Sequence, residues 1–264
     1  MSDRLATFRQ LHTQTQPLLL PNAWDAGSAR LFESLGASAI ATTSAGVAWA
    51  LGYPDGCKMP ADVAVQLAAN VARVLTVPLS VDIENGYSDD PAQVADTVLR
   101  LIDVGVVGIN LEDRDKPASL LASKIEKIKS ETAKRGVNIF VNARTDVFLA
   151  GLVDKPQRLG ETLARAALYT AAGTDGLFVP AMVEADQIKA VVAGIKLPLN
   201  LLAWEGLADA AELGRLGVSR LSAGSGIPQV LWARAETLAK NFLEGGRSED
   251  LKGQMPYPQL QALF

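Results

Sequence analysis

Short apolar runs alternate with longer segments of helical periodicity along nearly the whole chain. The apolar runs are rich in Val, Ile and Leu on both faces, as in strands that are buried on both sides of a parallel sheet. They predict strands at residues 17–21, 39–44, 79–83, 108–111, 139–143, 176–179, 199–203 and 220–223. The helical spacing predicts helices at residues 26–35, 61–75, 91–104, 120–135, 157–172, 184–193, 207–216 and 228–243.

Eight strand–helix pairs in a chain of 264 residues favour a (β/α)₈ barrel, the TIM-barrel form of the α/β class. A doubly wound sheet is the weaker alternative, because no predicted strand is followed by a Gly-x-Gly-x-x-Gly turn. An extra helix at about residues 3–13 precedes the barrel, and a tail at about residues 245–264 follows it. No linker or low-complexity segment divides the chain, so we expect a single domain over residues 1–264.

Composition narrows the functional classes. Hydrophobic residues make up 48% and charged residues 20% of the chain, which suits a sizeable core and argues against disorder. The net charge is −4 and the basic residues are dispersed, so we expect neither a nucleic-acid partner nor a membrane partner. Cys57 and His12 are the only residues of their types, which excludes a disulfide or a Cys/His zinc site within one chain. A lone thiol and a start without a signal-like apolar segment predict a cytoplasmic protein.

Acidic residues follow several predicted strands at the point where each strand ends. Asp82 and Glu84 end the third strand, Glu112 follows the fourth, and Asp55 lies in the loop after the second. In a barrel these strand ends share one face, and the i, i+2 spacing of Asp82 and Glu84 would put both carboxylates on one side of a strand. Two carboxylates ~4 Å apart repel by roughly 4 kcal/mol at an effective dielectric of ~20. A hard cation such as Mg²⁺ would remove that repulsion and act as a Lewis acid, so we expect a magnesium site here.

Polar residues on neighbouring strands add to this candidate site. Thr43 and Ser44 end the second strand, Asn142 and Arg144 stand two residues apart at the end of the fifth, and Asn200 lies in the seventh. The planar guanidinium of Arg144 matches the geometry of a carboxylate. A metal ion and one arginine would allow a small anionic substrate to bind in spite of the acidic net charge.

The chain resembles the isocitrate lyase/phosphoenolpyruvate mutase superfamily in five motifs. In chain order they are Thr42-Thr43-Ser44-Ala45-Gly46, Leu51-Gly52-Tyr53-Pro54-Asp55, Val81-Asp82-Ile83-Glu84-Asn85-Gly86-Tyr87, Ile109-Asn110-Leu111-Glu112-Asp113 and Asn142-Ala143-Arg144-Thr145-Asp146. The match runs from about residue 18 to the end of the barrel, in the order and spacing of the family. Each motif alone is weak, but the combination is specific.

The resemblance implies a (β/α)₈ barrel whose last helix is swapped between the subunits of a homo-oligomer, a dimer or a tetramer. It also implies that Mg²⁺ or Mn²⁺ is the cofactor, chelated by an α-keto acid or its enolate. By motif position, Asp82 resembles the direct metal ligand. Asp55, Glu84 and Glu112 resemble the carboxylates that hold the metal through water.

The resemblance also implies roles in substrate binding and catalysis. The turn at Thr43, Ser44 and Ala45 would hold the substrate carboxylate through backbone N–H groups, and Arg144 would hold substrate oxygen atoms. Asn200 is added as a substrate contact from its place on the seventh strand. The expected catalytic residues are Arg144, Glu112 and Asp55.

Two departures from the family pattern constrain the reaction. Family lyases carry a Lys-Lys/Arg-Cys-Gly-His loop after the fourth strand, in which the Cys acts as acid and base. Here the loop reads Glu112-Asp113-Arg114-Asp115-Lys116-Pro117-Ala118, without Cys or His, and Cys57 lies in a different loop. At the sixth strand, where lyases have Glu and mutases have His, this chain has Pro180. The groups that the lyase and mutase reactions use are therefore missing.

Decarboxylation of a β-keto acid needs fewer such groups, because a metal stabilises the enolate and water can supply the final proton. The sequence therefore predicts a Mg²⁺-dependent lyase that cleaves a C–C bond next to an α-keto acid through a metal-held enolate. Oxaloacetate decarboxylation is the leading hypothesis. A C–P bond hydrolase or mutase acting on phosphonopyruvate or phosphoenolpyruvate is the first alternative. The second is a metal-dependent protein that binds α-keto acids without turnover.

Overall fold

Nine short parallel strands form one sheet that nearly closes on itself in the computed structural model, which describes residues 2–264. The strands are β1 (Leu18–Leu20), β2 (Asn22–Ala23), β3 (Ile40–Thr42), β4 (Leu79–Asp82), β5 (Gly108–Glu112), β6 (Phe140–Arg144), β7 (Gly176–Val179), β8 (Leu199–Leu202) and β9 (Arg220–Ser222). Their hydrogen-bonded order is β1-β9-β8-β7-β6-β5-β4-β3-β2. The predicted (β/α)₈ barrel is confirmed.

Pro21 divides the first barrel strand into β1 and β2. Before it, Leu20 pairs with Ser222 of β9, and after it, Asn22 pairs with Ala41 of β3. Proline has no N–H and cannot donate to a strand ladder, so the pairing changes partner at this position. β1 and β2 together therefore occupy one strand position, and the nine strands fill the eight positions of a (β/α)₈ barrel.

Helices cover the outside of the sheet. They are α1 (Ser2–Leu11), α2 (Ala26–Ser34), α3 (Ser44–Ala50), α4 (Ala61–Val74), α5 (Pro91–Asp103), α6 (Ala118–Lys134), α7 (Arg158–Ala172), α8 (Ala185–Gly194), α9 (Ala210–Arg215), α10 (Gly226–Gly245) and α11 (Tyr257–Gln261). A π-helical turn spans Val147–Gly151, and 3₁₀ turns span Lys155–Gln157 and Ser248–Leu251. All eight predicted strands and all eight predicted helices are confirmed, whereas α3 and α11 were not predicted. Within residues 2–264 there is no helix whose length and apolar character would let it cross a membrane.

Helix α5 illustrates which residues begin a helix and which residues bury one of its faces. The Asp90 side chain accepts the Ala92 N–H at 2.9 Å, and Pro91 occupies the first helical turn. Both features stabilise a helix start, because the first N–H groups have no acceptor within the helix. Val94 and Val98, four residues apart, then lie on one buried face against the strands.

The base of the barrel is closed by α1. Phe8 is fully buried there among the inward side chains of a small apolar cluster that includes Phe140. A Cβ added to Gly108 would lie 2.7 Å from the Phe8 ring and 3.1 Å from Ser80 Oγ, so only glycine at this position leaves room for the Phe8 side chain. His12 stacks on Phe140 with ring centroids 4.5 Å apart. The predicted leading helix therefore has a structural role at the end of the barrel opposite the carboxyl ends of the strands.

A polar network occupies the middle of the barrel. Asn110 Oδ1 accepts hydrogen bonds from Asn142 Nδ2 (2.9 Å) and from Arg220 Nη2 (3.2 Å). Arg220 is completely buried, and burial lowers its pKa to about 9 although the charge of Asp82 raises it. Because both donors point to the Asn110 carbonyl oxygen, the amide nitrogen of Asn110 is turned toward the strand ends.

The burial of His12 is expected to make the protein less stable as the pH falls from 7 to 4. Burial, followed by the charge of Arg220, lowers the pKa of His12 from 6.5 to about 4. Between these values the unfolded chain binds a proton that the folded chain does not, so the free energy of unfolding should fall by about 3 kcal/mol toward acid pH. Urea titrations at several pH values would measure this slope.

The matched control is His12→Gln, which keeps a polar side chain but does not titrate. Other acidic groups titrate in both proteins, so the difference between the two slopes isolates His12. The slope should be shallower in the variant, whatever its absolute stability. Identical slopes for the two proteins would show that His12 is not the group responsible.

Candidate active site

A cavity of about 180 Å³ lies at the carboxyl ends of the strands, where barrel enzymes bind their substrates. Its walls are formed by Asn22, Thr43, Ser44, Ala45, Asp55, Asp82, Asn110, Arg144, Leu149, Phe178, Leu202, Trp204, Ser222, Gly224 and Ser225. Six of the ten candidate residues named from the sequence belong to this set. The other four, Glu84, Glu112, Asn142 and Asn200, do not line the cavity.

Asp82 is the last residue of β4, and both of its carboxylate oxygens are held in place. The Glu84 N–H donates to Oδ1 at 3.0 Å, and Asn110 Nδ2 donates to Oδ2 at 3.2 Å. The Asp82 N–H donates to Thr42 Oγ1 at 2.9 Å, which ties the end of β4 to β3. An ionised carboxylate has about four acceptor positions, so two remain for a ligand in the cavity.

Glu84 does not share a strand face with Asp82, so that expectation from the i, i+2 spacing is wrong. β4 ends at Asp82, and Glu84 lies in a turn with a φ of +51°, in the left-handed region. Its buried carboxylate accepts the Cys57 N–H and lies 3.8 Å from Arg114 Nη1. Burial raises the pKa of Glu84, the Cys57 hydrogen bond lowers it, and the charges of Asp55 and Asp82 raise it.

Arg144 lies between two carboxylates at the edge of the cavity. Its Nη1 is 2.9 Å from Glu112 Oε2, and Nε and Nη2 donate to the two oxygens of Asp146 at 2.6 and 3.0 Å. Burial works against its charge, but Glu112 and Asp146 raise the pKa of Arg144 above its ordinary value. These contacts use three of the five N–H groups of a guanidinium, so two remain for a substrate.

Glu112 is buried next to Arg144, and the pKa of its carboxyl group is strongly raised. Burial raises the pKa of Glu112 to about 8, Arg144 lowers it, and the charges of Asp82 and Asp146 raise it further. Arg114 Nε is 3.6 Å from Glu112 Oε1. Carboxyl groups whose pKa is raised by burial beside a specific charged partner are common at catalytic sites.

Asp113 anchors the strand ends and takes no part in lining the cavity. Its carboxylate is fully buried and accepts the Asp146 N–H (2.9 Å), Arg165 Nη1 (2.8 Å) and the Tyr169 hydroxyl (2.7 Å). The first of these bonds fixes the backbone of the residue that holds Arg144. Asp113 is therefore a structural ion-pair partner one contact removed from the site.

The loop after α3 brings Asp55 to the cavity beside Asp82. Burial and the charge of Asp82 raise the pKa of Asp55. Cys57, two residues later, has its Sγ 3.0 Å from Asn85 Oδ1 and 3.4 Å from Arg114 Nη1. Burial raises the pKa of Cys57 to about 11, so it is a neutral thiol at physiological pH and a poor nucleophile.

Thr43, Ser44 and Ala45 line the side of the cavity opposite β6 to β8 in the barrel order. Thr43 caps α3 through its Oγ1, which accepts the Gly46 N–H at 3.4 Å, so the predicted strand ends at Thr42. Ser44 and Ala45 form the first turn of α3, where N–H groups have no acceptor within the helix. Asn200, by contrast, is buried below the cavity, where its Oδ1 accepts the Ser222 hydroxyl at 3.1 Å.

The donor groups suit a hard cation that takes few protein ligands. Among residues 2–264, no three His, Cys, Asp or Glu side chains are close enough together to hold a metal ion by themselves. Asp55 and Asp82 nevertheless line the same cavity, and the charge of Asp82 raises the pKa of Asp55. Mg²⁺ characteristically uses one or two carboxylates and completes its shell with water and substrate oxygens. The residues present therefore fit Mg²⁺ or Mn²⁺ held mainly by Asp82.

Several site residues were not named from the sequence. Asn110 orients Asp82 and lies two residues before Glu112 on β5, so strand alternation would have marked it. Asp146 orients Arg144 but lies beyond the end of β6, where that rule does not apply. Leu149, Phe178 and Leu202 also line the cavity. Apolar residues at strand ends look like ordinary core positions in a sequence, so no signal distinguished them.

The family model described as phosphoenolpyruvate phosphomutase matches residues 8–243, from within α1 to near the end of α10. The chain therefore belongs to the phosphoenolpyruvate phosphomutase family, part of the superfamily that its motifs resemble. The matched region contains every strand of the barrel and every residue that lines the cavity.

The names of the proteins that are similar to this chain refer to more than one type of reaction. An uncharacterised protein of Mycobacterium tuberculosis (strain ATCC 25618 / H37Rv) is 39% identical over 260 residues, which cover 97% of this chain and 95% of that protein. An oxaloacetate decarboxylase of Bradyrhizobium sp. (strain BTAi1 / ATCC BAA-1182) is 31% identical over 252 residues, covering 91% and 85%. The crystal structure of a Burkholderia cenocepacia J2315 protein provisionally named a phosphonomutase has a TM-score of 0.85 and 38% identity, covering 90% of this chain and 99% of that one. The similarity defines the class of enzyme, and the reaction has to be argued from the site.

Proposed function

We propose that the protein is a divalent-metal-dependent lyase that decarboxylates a β-keto acid of the oxaloacetate type. The observation that carries this proposal is the pairing of Asp55 and Asp82 with Arg144 around one cavity whose lining includes no Cys, His or Lys. Such a site can bind and polarise an α-keto acid. Asp55 and Asp82 are the carboxylates of this lining that could transfer a proton, and both are assigned to the metal, so neither is left to protonate a leaving carbon. Decarboxylation is the C–C cleavage that needs no such group.

Asp82 is proposed to hold the metal directly and Asp55 to hold it through water, whereas Glu84 and Glu112, which do not line the cavity, are proposed to act on the metal only through their charge. When bound, Mg²⁺ or Mn²⁺ would supply Lewis acidity to the keto oxygen and stabilise negative charge as it develops. Hydrogen bonds from Asn110 and from the Glu84 backbone keep the Asp82 carboxylate in one orientation. This preorganisation reduces the cost of arranging the site during the reaction.

Arg144 and the start of α3 are proposed to bind the substrate carboxylate. Arg144 is fixed by Asp146 and Glu112 and keeps two N–H groups free, which matches the planar geometry of a carboxylate. The N–H groups of Ser44 and Ala45 would donate to the same carboxylate. When the substrate is held in this way, its bond between C3 and the leaving carboxylate can be oriented for cleavage relative to the keto group.

The leaving carboxylate is proposed to face Phe178, which is paired with Arg144 in the register of β6 and β7. Negative charge moves from this carboxylate toward the keto oxygen as CO₂ departs. Weakly polar surroundings therefore disfavour the ground state more than the transition state. A water molecule from the open side of the cavity would then protonate C3.

Cleavage of a C–P bond is supported less well by the same cavity. A phosphonate group carries more negative charge than a carboxylate and is usually bound by several cations or N–H donors. Arg144 is the only basic side chain that lines the cavity, and two carboxylates already engage it. Release of inorganic phosphate from phosphonopyruvate would nevertheless favour this alternative over decarboxylation.

Replacement of Asp82 by alanine tests the proposed function. The variant should release pyruvate from oxaloacetate with Mg²⁺ at least about 10³-fold more slowly than the unaltered protein, because the main metal ligand is lost. The rate without enzyme at the same Mg²⁺ concentration is subtracted. Asp186→Ala, an exposed residue in the first turn of α8, is the matched control and should retain full activity.

Equal rates for the unaltered protein and Asp82→Ala would rule out this site as the origin of any activity. Calorimetry with oxalate and Mg²⁺ separates the remaining alternative. Tight, Asp82-dependent binding without turnover of any keto acid would indicate a binding protein.

The homo-oligomer and the cytoplasmic location stay predictions. The surface that an oligomer would cover includes α10, where Val230, Leu231 and Trp232 are 69, 48 and 56% exposed. Apolar side chains exposed together along one helix are typical of an interaction surface. The swapped helix implied by the sequence resemblance would use this same segment.

A further inference from the structure

Four apolar side chains line one side of the cavity, which is called the apolar wall below. Phe178 is the inward residue of β7 beside Arg144, Leu202 ends β8, Trp204 follows it, and Leu149 projects from the turn after β6. β6, β7 and β8 are neighbours in the sheet, so the four residues line the same side of the cavity. The polar groups Asp55 and Asp82 belong to the other side of the barrel.

One side chain of the apolar wall is packed tightly against the backbone, and two others are partly exposed to solvent. A Cβ added to Gly224, which has a φ of +59°, would lie 2.5 Å from Leu202 Cδ1, so the Leu202 side chain is pressed against the backbone there. Trp204 and Leu149 are 48 and 38% exposed at the mouth of the cavity. A ligand that covered them would remove apolar surface from water, which favours binding.

The charges around the cavity do not provide for a second anionic group at this wall. Arg144 is the only basic residue among those that line it, and Arg144 is bound by Glu112 and Asp146. The wholly buried Arg220 lies below the cavity and contacts Asn110 and Ser222. An anion that remained in place at the apolar wall would be desolvated without a partner, at high cost.

We propose that the preferred substrate is an oxaloacetate that carries an apolar alkyl substituent on C3. This inference rests on the proposed function and names its substrate class. The substituent would lie on Leu149, Leu202 and Trp204, while the keto-acid end lies toward Asp82 and Arg144. The C3–C4 bond breaks, its electron pair moves into the enolate of the keto acid, CO₂ leaves, and C3 takes one proton from water. The products are CO₂ and a 2-oxo acid one carbon shorter than the substrate.

A substrate series measures this preference directly. Oxaloacetate, 3-methyloxaloacetate and 3-ethyloxaloacetate are compared by kcat/KM with Mg²⁺, after subtraction of the rate without enzyme. One methylene in an apolar pocket changes selectivity by about 10–200-fold, so the ethyl compound should exceed oxaloacetate by at least tenfold. If oxaloacetate is turned over as well as the substituted compounds, the inference is wrong and the proposed function stands.

Two variants assign the preference to the wall. Trp204→Ala should reduce the ratio of kcat/KM for the ethyl compound over oxaloacetate about tenfold, and Trp204→Phe should restore most of it. Leu149→Arg adds a cation at the mouth and should shift the ratio toward unsubstituted oxaloacetate. Leu168→Arg, at a similarly exposed leucine on α7, is the matched control and should leave the ratio unchanged. An unchanged ratio in Trp204→Ala and Leu149→Arg would overturn the assignment.

Product binding decides the question even if no compound is turned over. Calorimetry with Mg²⁺ compares pyruvate with 2-oxopentanoate, the product expected from the ethyl compound. The longer acid should bind at least tenfold more tightly, and Trp204→Ala should remove that difference. Tight binding of 2-oxopentanoate without turnover would contradict the proposed function alone. Equal affinities would contradict the substrate class, whatever the reaction is.

Discussion

Replacement of Arg144 by glutamine is expected to lower kcat/KM for oxaloacetate by roughly 10²–10³-fold, the usual effect of removing one donor that stabilises the transition state. Arg144 lines the cavity and is held by Asp146 through two hydrogen bonds of 2.6 and 3.0 Å. Glutamine is shorter, carries no charge and cannot make both of these contacts while it reaches a substrate. Steady-state kinetics over a range of oxaloacetate concentrations would measure the change.

The same substitution should also lower stability. Removing one partner of a buried ion pair typically costs about 3–5 kcal/mol, because the remaining charge is left without compensation. Glu112 can lessen that cost by taking up a proton, since its pKa is already about 8 and Arg144 is the group that lowers it most. The stability loss should therefore be smaller at pH 6 than at pH 9. The comparison needs urea titrations at both pH values.

Arg144→Lys and a surface variant complete this test. Lysine keeps the charge but cannot form the planar two-point contact with Asp146, so its activity should stay well below that of the unaltered protein. Arg135→Gln removes an exposed arginine that pairs with Asp103, and it should have normal kinetics. Full activity in Arg144→Gln would mean that another group binds the substrate carboxylate.

Replacement of Asp113 by alanine is expected to reduce stability by about 3–5 kcal/mol, with little direct effect on substrate contacts. The Asp113 carboxylate is fully buried and accepts from the Asp146 backbone, Arg165 and the Tyr169 hydroxyl. Alanine leaves all three donors without their acceptor. For a protein of this size the melting temperature should fall by roughly 6–20 °C, measured by scanning calorimetry.

Two controls separate burial of the charge from loss of a single bond. Tyr169→Phe removes one hydrogen bond to Asp113 and should cost only about 1 kcal/mol. Asp103→Ala removes an aspartate that is half exposed and paired with Arg135 at 2.7 Å, and it should change stability by less than about 1 kcal/mol. If Asp113→Ala is no more destabilised than Asp103→Ala, the buried network does not support the strand ends.

The positions of the strands, and so the place of the site, could be predicted from the sequence with good accuracy. The run at residues 108–111 and the observed Gly108–Glu112 differ by one residue, and Asn142 and Arg144 do lie on one face of β6. Alternation within a strand is a local property, so it can be read along the chain. The same rule was wrong for Glu84, because β4 ends two residues earlier and the backbone turns into a left-handed conformation.

The sequence by itself determined the class of fold and which strand ends carry acidic groups, because burial and motif spacing repeat over short distances. Only the tertiary structure decided the part that each acidic group takes. Asp82 faces the cavity, Glu84 is bound by the Cys57 backbone, and Asp113 is paired with Tyr169, a residue 56 positions away. The apolar wall was decided in the same way, since Leu149, Phe178 and Leu202 line one cavity only because β6, β7 and β8 lie side by side. Contacts of this kind join residues that are distant in the chain, and no local pattern of hydrophobic and polar positions encodes them.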